Sequence, residues 1–88
     1  LTRNKAKITS KIVFPYDVVE FEYVEEESCL ITSDGQGTLR SYDVLCHKIF
    51  DKFSLKRTDS TPCYLHYSKD LKSLFALPYY SNEFYIVK

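Results

Sequence analysis

Asp43, Cys46 and His47 are the one place in these 88 residues where an acid, a thiol and an imidazole crowd together. A cysteine nucleophile needs a histidine within hydrogen-bond reach and a third group to orient that base. Adjacent residues in a strand connection point apart, so the trio reads as a loop cysteine beside a surface histidine. No catalytic residue is assigned. Cys29, Cys46, Cys63, His47 and His66 are dispersed too evenly to supply the three or four ligands of a zinc site, and no metal is expected. Gly35-Gln36-Gly37 lacks the Lys-Ser/Thr pair and the following helix of a phosphate loop. The chain therefore reads as a non-enzyme with no cofactor and no small-molecule substrate.

Bulk properties narrow the partners. Twelve basic and twelve acidic side chains leave no net charge, so no global field draws the chain to nucleic acid or to an anionic membrane. The charges are blocked, with Arg3, Lys5, Lys7 and Lys11 near the start and Glu20, Glu22, Glu25, Glu26 and Glu27 following. Such blocks read as solvated faces. Three cysteines without close pairing read as reduced thiols, Cys29 and Cys63 lying within apolar runs as small hydrophobes. No secretory leader opens the sequence and no apolar run approaches the roughly 20 residues that span a bilayer. The expectation is an intracellular protein of cytoplasm or nucleus.

The elements that must position these residues are strands. Eight Tyr and six Phe, with no Met or Trp, favour β-structure. Residues 18–23 alternate, placing Val19, Phe21 and Tyr23 on an apolar face and Glu20 and Glu22 on the solvent side. Residues 29–32 form an apolar run suited to a central strand, residues 38–44 alternate again, and residues 48–53 suit an exposed edge. Both glycines of the chain, Gly35 and Gly37, sit in the turn between the second and third strands, where positive φ costs them nothing. The second half repeats the order: 63–67, then 74–77 ending at Pro78, then 84–88. Tyr23 on Tyr67, Ile31 on Phe75 and Leu39 on Phe84 superpose at an offset of about 44–45 residues, the spacing of propeller blades. Residues 8–14, with Ile8, Ile12 and Phe14 apolar, add one further predicted strand.

Thr32 to Val44, reading TSDGQGTLRSYDV, resembles the end of a WD repeat, with Tyr42 and Asp43 in the Trp-Asp positions. That resemblance implies an all-β fold of β-propeller blades, each of four antiparallel strands, labelled a to d outwards from the axis. The chain then runs d, a-b-c-d, a-b-c: an outer strand of a preceding blade in 1–14, a WD-like blade in 15–57, and a second blade lacking its outer strand in 58–88. Two blades cannot close a propeller, which needs about four to eight. Membership of a longer chain is the first explanation, and assembly of several copies the second.

Because fold alone does not define function, the implied role is the general one of propellers, a scaffold for protein–protein interaction. On the matching positions, the loops entering strand a and the b-to-c hairpins lie on one rim. They are Tyr16, Asp17, Asp34 and Gln36 in the first blade, and Thr61, Tyr79 and Tyr80 in the second. Tyrosines at loop tips offer large contact area at small entropic cost. The expected partners are other protein subunits. The second reading is a nucleic-acid-associated, RNA-processing type of propeller subunit supporting a separate enzyme, in which Tyr64, Tyr79, Tyr80 and Tyr85 stack bases beside Lys52, Lys56 and Arg57.

Overall fold

A computed structural model describes residues 6–55 and 61–88, with the backbone alone over 51–55. Its seven strands are β1 (Glu20–Val24), β2 (Cys29–Ser33), β3 (Leu39–Asp43), β4 (Lys48–Leu55), β5 (Cys63–Ser68), β6 (Ser73–Pro78) and β7 (Tyr85–Val87). A single 3₁₀ turn, Glu25–Glu27, joins β1 to β2. The described residues contain no α-helix. The strands form two antiparallel meanders, β1-β2-β3-β4 and β5-β6-β7. Over the described residues the fold is thus all-β, with two sheets and no closed barrel.

Period-two alternation and turn chemistry explain the meanders. Each hairpin carries one residue in the left-handed region: Ser28, Gly37, His47, Lys72 and Tyr80. Of the two glycines expected to serve the β2–β3 turn, only Gly37 uses positive φ, at 81°. The Gly37 amide donates to the Asp34 carbonyl at 3.1 Å and the Asp34 amide to the Thr38 carbonyl at 3.2 Å. This tightly bonded loop ends in a left-handed residue, a geometry that glycine adopts at least cost.

Both sheets share one core. Val24, Cys29, Ile31 and Leu39 from the first pack with Cys63, Leu74 and Ala76 from the second, flanked by Phe50, Leu65, Tyr67 and Val87. Cys29 and Cys63 are buried and outside any disulfide, as expected of small hydrophobes. Burial pushes the Cys29 thiol pKa up, against a weaker lowering by its hydrogen bond with Ser41, so it stays protonated.

Two expectations are corrected. Residues 8–14 form no strand. Alternation alone cannot supply a ladder, and Ile8 and Val13 remain exposed while Phe14 instead lies 5.3 Å from the Tyr42 ring. Strand β1 also faces the other way. Cross-strand partners share a face, and Glu22 opposes Ile31 while Val24 opposes Cys29. Glu20, Glu22 and Val24 therefore look toward the second sheet, and Phe21 and Tyr23 look outward, Phe21 at 64 % exposure. The reason is polar. The second sheet offers the carboxylates hydrogen-bond donors that an apolar side chain would leave unsatisfied.

Candidate functional site

The seam between β1 and β5 is built from those carboxylates. Glu22 Oε2 accepts the Tyr67 amide at 2.8 Å, occupying an N–H on the β5 edge, and lies 3.6 Å from His66 Nδ1. The Tyr67 hydroxyl donates to Glu26 and the Tyr79 hydroxyl to Glu20. Ser33 Oγ accepts the Cys63 amide at 3.1 Å and donates to the Asp34 carbonyl. The acidic block read as a solvated face thus supplies three acceptors to the second sheet. Sequence distance concealed this, since the donors lie 41 to 59 residues away.

These bonds favour the protonated phenols. The Glu26 carboxylate, with burial and its charge adding, pushes Tyr67 from an ordinary 10.0 up to about 12; Glu20 does the same to Tyr79. A phenol whose folded pKa is raised contributes stability that is complete below pH 10 and is lost as pH rises through about 12. Absorbance titration near the tyrosinate band should accordingly show Tyr67 and Tyr79 ionising only as pH rises through about 12. Glu26→Gln should lower the pKa of Tyr67 and Glu20→Gln that of Tyr79; an unchanged curve would contradict the seam.

The same contacts fix how the loops are arranged. The start of β1 meets the end of β6 through Glu20 and Tyr79, and the end of β2 meets the start of β5 through Ser33 and Cys63. The loops entering β1 and β5 and the β2–β3 and β6–β7 turns consequently collect at one end of the stack. All seven expected contact residues lie in them.

Their individual states differ. Asp34 is nearly buried and committed to its own turn: Oδ1 accepts the Gln36 and Thr38 amides at 2.9 and 3.0 Å, and Oδ2 pairs with Arg40 at 2.7 Å. Burial pushes its carboxyl up, but hydrogen bonds from Arg40, Thr38 and Gln36, with the Arg40 charge, outweigh that and hold it below the usual range. Tyr16 lies under Arg40, whose guanidinium carbon sits 4.1 Å from its ring centroid, and accepts a 3.4 Å bond from Thr32. Both residues are anchors rather than free contact groups. Asp17 and Gln36 are exposed, Thr61 and Tyr79 are half-buried, and Tyr80 is fully exposed at φ 60°. Tyr79 also stacks on Tyr64 at 4.4 Å between centroids, and its amide donates to the Pro62 carbonyl.

At the other end of the stack, Asp43 Oδ1 accepts the Leu45 and Cys46 amides at 2.8 and 2.9 Å. Those bonds lower its pKa, first through Cys46 and then Leu45. His47 Nδ1 lies 3.2 Å from the Tyr42 hydroxyl. Asp43 therefore builds a turn, and the imidazole is engaged with a phenol. Among the described residues no group of three or more His, Cys, Asp and Glu could hold a metal ion. No helix among them is long and apolar enough to cross a membrane. Lys56 and Arg57 lie outside the described residues, and the Lys52 side chain is not described.

Comparisons of the chain with protein-family models, curated proteins and solved structures found no match.

Proposed function

We propose that this chain is a WD-repeat-like propeller segment whose role is to dock other protein subunits, without catalysis, on the end where its loops collect. The observation that carries this reading is the gathering of Asp17, Gln36, Thr61, Tyr79 and Tyr80 at one end by a rigid core and a carboxylate seam. The repeat supports the blade reading. At an offset of 44, outward-facing Phe21 and Tyr23 correspond to Leu65 and Tyr67 on the inner face of the second sheet; inward-facing Ile31 corresponds to outward-facing Phe75. Equivalent residues thus face the same way around the stack, as successive blades require. A pair of sheets related by a two-fold axis would not do this.

The nucleic-acid reading finds less support, because the acidic Glu20 bonds to Tyr79 in the tyrosine cluster and a carboxylate repels phosphate. Tyr80 is the residue to remove. Tyr80→Ala combined with Gln36→Ala should weaken capture of a protein partner at least tenfold and leave the melting temperature unchanged. Undiminished capture would contradict docking at this end. Tyr16→Ala, by contrast, should lower stability, because Tyr16 packs against Arg40 and Phe14.

A further inference from the structure

We propose that copies of this chain stack head to tail, the outer face of the three-stranded sheet of one copy covering the outer face of the four-stranded sheet of the next. Both outer faces are apolar. On the three-stranded sheet, Tyr64, Phe75, Leu77 and Phe84 line an open groove of about 280 Å³ with His66 at its side. On the four-stranded sheet, Tyr23, Leu30, Tyr42 and Ile49 run across all four strands in register, with Phe21 beside them; Phe14 packs against Tyr42 and Tyr16 against Arg40 on the same face, leaving Phe21, Tyr23 and Ile49 as its exposed apolar groups. Phe21, Tyr23, Ile49, Tyr64 and Phe84 are each more than two-fifths exposed.

The occupant follows from the interface already present. Within the chain, the inner face of the first sheet, which includes Glu22, Ile31 and Leu39, packs on the inner face of the second, which includes Leu65, Tyr67 and Leu74. The 44–45 offset maps Glu22, Ile31 and Leu39 onto His66, Phe75 and Phe84, and maps Phe21, Tyr23 and Leu30 onto Leu65, Tyr67 and Leu74. The outer face of the second sheet is therefore the counterpart of a face that already binds, and the outer face of the first sheet is the counterpart of its ligand. A second copy placed by the same operation brings those two together. The contact is heterologous, so each copy uses both faces and the stack extends beyond a dimer.

The inference rests on the blade reading through the 44–45 offset and goes beyond the docking role: loss of partner capture leaves stacking intact, and loss of stacking leaves the loops at the common end unchanged.

Sedimentation velocity of the full 88-residue chain tests this. The wild type should sediment above the monomer, with a weight-average mass rising with concentration. Phe21→Glu and Phe84→Glu, one on each face, should each be monomeric with wild-type circular dichroism. Mixed in equal amounts they should form a species of twice 10.4 kDa and nothing larger, since one intact face remains on each. A wild type that stays monomeric overturns the proposal, as does a mixture that stays monomeric while the wild type associates. If either glutamate variant fails to fold, Tyr23→Lys and Ile86→Lys on the same faces make the same test.

Discussion

Ile31→Ala should cost about 2–5 kcal/mol and lower the melting temperature by roughly 10–30 °C. Ile31 is fully buried and sits in register between Glu22 and Ser41, in a buried cluster that spans both sheets. Truncating it leaves a void where the two sheets meet, and the neighbouring strands are held by ladders that collapse only partly into such a void. A domain of this length has about 4–13 kcal/mol of total stability, so the variant approaches the limit of folding. Leu74→Ala, from the other sheet, should behave alike, because its loss is felt by the same core. Thermal melts followed by far-ultraviolet circular dichroism check both. If Leu74→Ala removed the three-stranded sheet and left the four-stranded sheet melting at the wild-type temperature, the shared core would be refuted.

The second large effect is expected at Asp34. Asp34→Ala deletes two backbone caps and the partner of Arg40 together, at a carboxylate only 13 % exposed. We expect a loss of about 1.5–3 kcal/mol, the range for hydrogen bonds to a charged group, rather than the roughly 0.2–1 kcal/mol typical of an exposed ion pair. Asp34→Asn retains an acceptor for the Gln36 and Thr38 amides and should lose about half as much. The pH dependence has a definite sign. A carboxyl whose folded pKa is lowered contributes stability that is present above its unfolded pKa and is lost as pH falls through the folded value. Wild type should therefore weaken on acidification below about pH 4 more steeply than Asp34→Asn does. Parallel acid profiles would show that Arg40 and the two amides do not stabilise the ionised form.

Strand positions were legible because local alternation and turn residues announce them. Residues 29–32 and 74–77 read as buried runs and became β2 and β6, and the glycine-containing turn fell where expected. The facing of β1 was not legible. Alternation distinguishes two faces but does not say which one meets the rest of the chain, and the groups that decide it, Tyr67 and Tyr79, lie far away in sequence. Four of the five left-handed turn residues, Ser28, His47, Lys72 and Tyr80, were also hidden, since nothing in their chemistry marks them as glycine does. Residues 8–14 differ in the opposite sense: their composition is strand-like, yet they join neither sheet. At the common end, Tyr80 and Gln36 could be read as exposed turn residues. Asp34 and Tyr16, expected as contact residues of the same rim, are held instead by Arg40. The spacing from Asp34 to the Thr38 amide and to Arg40, across a turn containing glycine, was the available signal that its carboxylate would fold back on its own loop.

The two meanders pack as one body through β1 and β5. Isotope-edited nuclear Overhauser spectra test that most directly, because the Tyr67 amide lies 2.8 Å from a Glu22 oxygen and the Cys63 amide 3.1 Å from Ser33 Oγ. The account predicts cross-peaks from the Tyr67 amide to the Glu22 side chain and from the Cys63 amide to the Ser33 side chain. Intact cross-strand peaks within each sheet, with neither of these between the sheets, would contradict it.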